Sequence, residues 1–185
     1  MMEAIHDMFP SYISNHGQIM ILSKTRNFIL HQFSITYRKD YYMIDRSQEF
    51  WTGDTADDIN EYLCEYSEQE DIEVKSVECQ ICKSDVFTLK VDQDEGAIEV
   101  TCTNCKTKKL LLDSADIWEE CKPKLGKCPI CKGKNYNIRV GFLRRSTGEV
   151  RQVFIGNRCI ECGTLGSYVD WDINYGPTDE MEKNI

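Results

Sequence analysis

Alternating apolar and polar residues in the centre of the chain predict a β-hairpin. Residues Val86–Val91 form the first expected strand, and Ala97–Thr101 form the second. The acidic, glycine-containing segment 92–96 between them is typical of a turn. A third apolar segment, Lys108–Leu112, can add a further strand. The pattern therefore predicts a three-stranded antiparallel sheet in this part of the chain.

A second copy of the same pattern lies further along the chain. It predicts strands at Tyr136–Arg145, Glu149–Gly156 and Leu165–Trp171, with a tight turn at residues 146–148. Both copies start with a Cys-x-x-Cys-Lys segment and carry a second Cys-x-x-Cys after the second strand. We interpret the two copies as an internal repeat.

Helical periodicity occurs in two places. Residues Ala56–Glu68 have apolar side chains at helical spacing and acidic side chains on the other faces, and Thr55 with Asp58 resembles a capping box. A short helix is expected at Ala115–Cys121, ended by Pro123 and Gly126. The first helix belongs to an acidic arm, residues 43–75, in which eleven acids face two bases and the net charge is −9.

The cysteine spacing predicts two metal sites. Nineteen residues separate the first two Cys-x-x-Cys pairs and twenty-seven separate the last two. A Cys-x-x-Cys turn brings two sulfurs to one small cation, and a second turn delivered by a hairpin completes a tetrahedron around Zn²⁺. The predicted ligands, four for each of two structural zinc ions, are Cys79, Cys82, Cys102 and Cys105, then Cys128, Cys131, Cys159 and Cys162.

These residues resemble the zinc-ribbon superfamily over about Val77–Asp113 and Lys127–Trp171. The chain also resembles an uncharacterised group of bacterial tandem four-cysteine proteins, through residues 94–97, 140–142 and 170–177. That group implies no function. In the ribbon family a glycine usually follows the second cysteine of each Cys-x-x-Cys turn. Here only Cys162 is followed by glycine, and lysine follows the second cysteine of the other three turns.

The expected fold class is a small metal-stapled α+β protein, with two tandem zinc ribbons, each a three-stranded antiparallel sheet, preceded by an acidic helix. We divide the chain into an N-terminal extension, the acidic arm, ribbon one, a helical linker, ribbon two and a loose tail, at residues 1–42, 43–75, 76–113, 114–126, 127–173 and 174–185. The compositional break at Met43 suggests that the functional product begins there.

Charge and cysteine usage indicate the cellular compartment of the protein and the kinds of partner it can bind. Eight of the ten cysteines have metal-ligand spacing, and neither a leader layout nor an apolar run of about 18 residues is present, so we expect a cytoplasmic protein without membrane contact. The net charge of −9 argues against general nucleic-acid binding. Residues 1–42 carry about +1, and residues 127–166 carry +6, the one large positive charge along the chain.

Catalysis is not expected from this sequence. Four thiolates fill every position on a zinc ion, which leaves none for water or a substrate. Cys64 and Cys121 have no histidine nearby, and the spacing of His6, His16 and His31 matches no ligand motif. Iron in a rubredoxin-like site and a redox switch that releases zinc remain open.

We predict a non-enzymatic zinc-binding interaction module that contacts a protein partner and has no small-molecule substrate. The alternative is nucleic-acid binding through ribbon two, where lysine and arginine side chains are interleaved with Tyr136, Phe142 and Phe154. In that alternative Arg144, Arg145 and Arg151 at the hairpin tip contact phosphate. An acidic segment around Asp57–Asp71 could neutralise the same three arginines instead.

Overall fold

The computed structural model describes Tyr12–Ile13, Ile19–Met20, residues 44–69 and residues 71–185. The chain divides into two compact units, Met1–Lys39 and Asp40–Ile185. In the first unit, the described residues are β1 (Tyr12–Ile13) and β2 (Ile19–Met20), which pair in antiparallel fashion. The predicted product start at Met43 and the three histidines lie outside the described residues.

Within residues 44–69 and 71–185, the second unit combines eight strands with short helices. Its helical elements are α1 (Asp58–Tyr66), α2 (Ser114–Ile117), a 3₁₀ turn (Trp118–Glu120) and α3 (Asp179–Glu182). Its strands are β3 (Glu73–Ser76), β4 (Val86–Asp92), β5 (Ala97–Cys102), β6 (Lys108–Leu110), β7 (Lys124–Leu125), β8 (Tyr136–Arg144), β9 (Val150–Cys159) and β10 (Leu165–Asp172).

All eight strands belong to one antiparallel sheet. The central order is β10-β9-β8-β4-β5-β6, with β3 paired to β8 and β7 paired to β4. The two cysteine-bearing halves meet where Val86 and Phe87 of β4 pair with Asn137 and Tyr136 of β8. Asn137 Nδ2 also donates to Asp85 Oδ2 at 2.9 Å, which fixes this junction. The sequence predicted the three-stranded pieces, and the pairing of β4 with β8 connects them.

Apolar clusters on the two faces of the sheet explain the long buried runs in β8 and β9. The larger cluster includes Phe87, Ile98 and Ile138, and the smaller one is formed with Ile59 and Leu63 of α1. Strands covered on both faces lose the alternation of buried and exposed residues. Gly156 allows the close approach of the helix, since a Cβ there would lie 2.6 Å from Ile59 Cγ2.

Helix α1 lies within the predicted range but is shorter at both ends. Asp58 is one of the acidic residues expected on the other faces of this helix, but its side chain is buried. Its Oδ2 accepts the Thr55 backbone N–H at 2.7 Å and the Thr55 hydroxyl at 3.3 Å. This is one half of the predicted capping box, and it anchors the helix start in the protein interior.

The C-terminal residues are not a loose tail, which corrects the prediction for residues 174–185. Met181 of α3 is buried in the larger cluster. The Leu112 N–H donates to the Asn184 carbonyl at 3.0 Å, and Lys109 Nζ donates to the Ile185 carbonyl at 2.8 Å. Charged residues made the segment resemble a mobile end, but one buried methionine and these bonds fix it.

The sheet curls so that its β10 end approaches the β4–β5 turn. Gln93 Nε2 donates to the Tyr168 carbonyl at 2.7 Å. Gly96, at φ +72°, lies against the Trp171 ring, where an added Cβ would be 3.2 Å from the indole. Within the described part of the chain, no helix has the length and apolar character needed to cross a membrane.

Candidate metal centres

Each Cys-x-x-Cys segment folds into the same tight turn. In the first, the Lys83 N–H donates to the Cys79 carbonyl at 2.8 Å and the Cys79 N–H donates to the Ser84 carbonyl at 2.8 Å. The same two bonds recur in the other three turns, at 2.8 to 3.1 Å. Both cysteine side chains of a turn are thereby directed to the same point. The repeat seen in the sequence is therefore a repeat of backbone geometry.

A left-handed residue closes each of these turns. Lys83, Lys106 and Lys132 have φ of 60°, 64° and 64°, and Gly163 has φ of 74°. A side chain in this region clashes with its own carbonyl, which costs about 1–2 kcal/mol. Three turns thus hold lysine in a conformation that glycine adopts without strain. Gly163 cannot be replaced in the same way, since a Cβ there would lie 2.7 Å from the Gly53 carbonyl oxygen.

The hairpins bring the eight predicted ligands into two groups of four. Within each group all Sγ atoms lie within 4.8 Å of one another. Close sulfur–sulfur contacts connect different turns. In the first group they join Cys79 to Cys105 at 3.4 Å and Cys82 to Cys102 at 3.5 Å. In the second group they join Cys128 to Cys162 at 3.6 Å and Cys131 to Cys159 at 3.5 Å.

These distances fit a metal site with four thiolates. A tetrahedral ion with metal–sulfur bonds of ~2.3 Å separates its sulfurs by roughly 3.8 Å, and a disulfide would need ~2.05 Å. All ten cysteines are free thiols. In each group two of the cysteines are buried and the other two reach toward the surface. The two groups could therefore each hold one metal ion.

Threonine hydroxyls support the second turn of each group. Thr107 Oγ1 lies 3.2 Å from Cys105 Sγ, and Thr164 Oγ1 lies 3.0 Å from Cys162 Sγ. Hydrogen bonds with Thr107 lower the pKa of Cys105 to about 6. Burial acts to raise the pKa of Cys162, but hydrogen bonds from Thr164 lower it to about 7. A Cys-x-Thr pattern at both positions is the sequence signal for these two hydroxyls.

The remaining two cysteines of the chain lie apart from both groups. Burial raises the pKa of Cys64, with a further contribution from Glu61 and Glu65. Burial also raises the pKa of Cys121, beside Asp92 and Glu95. A raised pKa keeps a thiol protonated and a poor nucleophile.

The basic side chains of the second half largely have partners within the chain. Arg139 pairs with Asp57 at 3.1 Å. Arg144 pairs with Glu73 at 2.6 Å and with Glu182 at 2.8 Å. These carboxylates lie mostly outside the expected segment Asp57–Asp71, because β3 and α3 approach the hairpin tip.

Two further arginines brace the backbone. Arg145 donates to the carbonyls of Val150 and Ile173, both at 2.6 Å, and Arg158 Nε donates to the Gly53 carbonyl at 2.7 Å. Arg151 is exposed. The three aromatic residues proposed for base stacking are all buried, namely Tyr136, Phe142 and Phe154.

No family model, no curated protein and no solved structure matches this chain. The geometry of the two cysteine groups and of the surfaces around them is therefore the basis for inferring a function.

Proposed function

We propose that the protein is a non-enzymatic interaction module in which two structural Zn²⁺ ions hold a curled sheet in shape for a protein partner. The observation that carries the proposal is the pair of four-sulfur groups, each gathered from two hairpin-linked turns. An ion with four thiolate ligands has no position for water or a substrate, so its role is structural. When bound, zinc would hold the Cys-x-x-Cys turns in their folded conformation, because the binding free energy of the metal adds to the free energy of folding.

The chemistry of the ligands favours zinc among the common metals. Four soft thiolates in a tetrahedral arrangement suit Zn²⁺ or iron, and disfavour Ca²⁺ and Mg²⁺, which need oxygen ligands. Iron would add one-electron chemistry, which places it in a different functional class. Elemental analysis distinguishes the two metals.

For the fold class we propose two tandem zinc ribbons. In this interpretation β4, β5 and β6 form the sheet of ribbon one, and β8, β9 and β10 form that of ribbon two. Helix α1 and the acidic arm pack on ribbon two through Ile59 and Leu63. Resemblance to zinc ribbons and to the bacterial four-cysteine group supports the interpretation and adds no activity.

A protein partner is favoured over nucleic acid by the distribution of exposed groups. Arg144 and Arg145 are engaged within the chain, which removes two of the three proposed phosphate contacts. Apolar side chains project instead from the first Cys-x-x-Cys turn of each cysteine group, where Ile81 is 73% exposed and Ile130 is 57% exposed. Exposed isoleucines at rigid tips are suited to burial against another protein.

Removal of the metal tests the structural role. Under reducing conditions a strong chelator should abolish cooperative thermal unfolding, and added Zn²⁺ should restore it. A parallel sample with chelator and excess Zn²⁺ controls for direct effects of the chelator. A metal-free protein that melts cooperatively within a few degrees of the loaded protein would contradict the proposal.

A further inference from the structure

An aromatic cleft opens beside the second cysteine group. It has a volume of about 600 Å³ and lies between α1, the segment before it and the start of β10. Phe50, Trp51, Tyr62, Tyr66 and Tyr168 line it. Binding clefts for small groups commonly have about 300–1,000 Å³ and mostly apolar walls. The size and aromatic lining of this cleft fall within that range.

Four of the five aromatic rings of the cleft contact neighbouring side chains. Tyr62 and Tyr66 stack with centroids 5.8 Å apart, and Trp51 meets Tyr62 edge-on at 5.7 Å. The Tyr66 hydroxyl donates to Asp170 Oδ1 at 3.0 Å, and the Tyr168 hydroxyl donates to that of Tyr136 at 2.8 Å. These contacts hold the rings in position before any ligand arrives. Such preorganisation lowers the entropic cost of binding.

Two of these aromatic side chains are nevertheless exposed. Phe50 is 39% exposed and Tyr66 is 44% exposed, and both line the cleft. Large apolar side chains grouped at the surface beside a cleft mark contact sites more often than scattered ones do. The cleft thus offers apolar area that a ligand could cover.

Carboxylates at the cleft make it suited to a cation. Among the lining residues that the structure describes, Glu49 and Glu65 are acidic and Lys127 is basic. The whole of residues 43–75 carries −9, so the field around α1 is negative. Residues 127–166, which form the opposite wall, carry +6, so the attraction for a guanidinium or ammonium group comes from the side of the cleft where Glu49 and Glu65 lie.

The chain already places one cation against this aromatic wall. The guanidinium carbon of Arg46 lies 5.2 Å from the centroid of a Trp51 ring. Arg46 Nη2 also pairs with Glu61 at 2.6 Å and contacts Glu65. Cation–π contacts of this kind contribute about 0.5–2 kcal/mol, more when desolvated. The internal contact demonstrates the chemistry that an incoming arginine would use.

We propose that this cleft binds a segment of a partner protein that carries an arginine or lysine next to an aromatic or aliphatic residue. The cation would lie at the opening with Glu49, and its apolar neighbour would cover the exposed rings of Phe50 and Tyr66. This inference rests on the proposed function, since it gives the interaction module a surface and a class of partner.

A pair of short peptides tests the proposal on the zinc-loaded full-length chain. The probes are acetyl-Gly-Arg-Phe-Gly-amide and acetyl-Gly-Glu-Phe-Gly-amide, and the readout is the NMR signal of the Trp51 indole N–H. We expect the arginine peptide to shift this signal and to bind about tenfold more tightly than the glutamate peptide, which corresponds to ~1.4 kcal/mol.

Variants locate the binding surface. Tyr66→Ala should weaken binding of the arginine peptide about tenfold, and Glu49→Gln should weaken it about threefold. Tyr175→Ala is the matched control, because Tyr175 is 48% exposed and its hydroxyl also bonds to an aspartate, Asp113, away from the cleft. Phe50→Ala provides a second cleft variant should Tyr66→Ala impair folding.

Several results would overturn the proposal. They are equal binding of both peptides, no shift of the Trp51 signal at millimolar peptide, or equal losses in Tyr66→Ala and Tyr175→Ala. Binding of a twelve-nucleotide single strand at the same signal, with steep salt dependence, would assign the cleft to nucleic acid instead. Metal content and thermal melts of the same samples test separately the proposed function, in which zinc stabilises the fold.

Discussion

Arg144, at the end of β8, and Glu182, on α3, form an ion pair in which Nη2 and Oε2 are 2.8 Å apart. Arg144 Nη1 also donates to Glu182 Oε1 at 2.8 Å, so the contact is bidentate. The C-terminal helix is thereby bound to the central sheet. Bidentate arginine–carboxylate pairs combine charge with fixed geometry and are stronger than single contacts.

The first prediction concerns this pair. Glu182→Gln should lower the free energy of unfolding at pH 7 by about 1–2 kcal/mol, and Arg144→Gln combined with it should cost less than the sum of the single changes. Denaturant melts of the natural protein, the two single variants and the double variant measure the coupling energy between the two side chains. Additive losses would show that the two side chains act independently.

The same pair has a defined pH dependence. Hydrogen bonds from Arg144 lower the pKa of Glu182 to about 2 from its ordinary value of 4.5. A lowered carboxylate pKa stabilises the folded state above the unfolded pKa, and this contribution is lost as the pH falls from 4.5 toward 2. The stability difference between the natural protein and Glu182→Gln should therefore shrink over that window. Acid release of zinc affects both proteins, so the difference between them isolates the pair.

The second prediction tests the packing of the C-terminal helix. Met181→Ala should lower the free energy of unfolding by about 2–3 kcal/mol and the Tm by about 5–10 °C, since it leaves a cavity in the larger apolar cluster. Glu180→Ala, at an exposed neighbouring position, is the control and should change the Tm little. Equal effects of the two substitutions would restore the interpretation of a loose tail.

The third prediction concerns the left-handed residues that close the cysteine turns. Lys83→Gly should stabilise the protein by about 0.5–1 kcal/mol, because relief of the left-handed strain exceeds the extra entropy of glycine in the unfolded chain. Gly163→Ala should destabilise it by about 2 kcal/mol or more, because its Cβ would meet the Gly53 carbonyl at 2.7 Å. Thermal melts at fixed zinc concentration measure both changes. A destabilising Lys83→Gly would mean that the lysine side chain outweighs the backbone strain.

The fourth prediction is that a chain starting at Met43 keeps the fold of the second unit. Among the residues that the structure describes, the members of both cysteine groups and both apolar clusters lie from Ile44 onward. Its melting temperature should match that of the full chain, and it should bind the same amount of zinc. Loss of cooperative unfolding after this truncation would show that the N-terminal residues complete the core.

The sequence predicted the local elements of the cysteine-rich region well. Strands β4, β5, β8 and β10 lie close to their expected bounds, since alternation and turn glycines determine hairpins over short distances. The eight sulfurs were predicted to form two groups of four, and they do lie in two such groups. Spacing carries this information because each turn holds two ligands that are close in sequence.

Long-range contacts could not be predicted in this way. The pairing of Val86 with Asn137 depends on which edges of two sheets meet, and no local pattern encodes that choice. The burial of Asp58 depends on Thr55 and on the sheet beneath α1, although an isolated aspartate indicates a solvent face. The aromatic cleft is assembled from Phe50, Tyr66 and Tyr168, which are distant along the chain. Interpreted separately, they resemble ordinary core or surface residues.

Native mass spectrometry under reducing conditions, combined with elemental analysis, tests the central claim most directly. The account predicts two zinc ions per chain, one in Cys79→Ser, one in Cys128→Ser, and none in the double variant, because each substitution opens one group of four sulfurs. One metal ion per chain in the natural protein would contradict it. So would a visible iron–thiolate absorption band, or the loss of both ions after either single substitution.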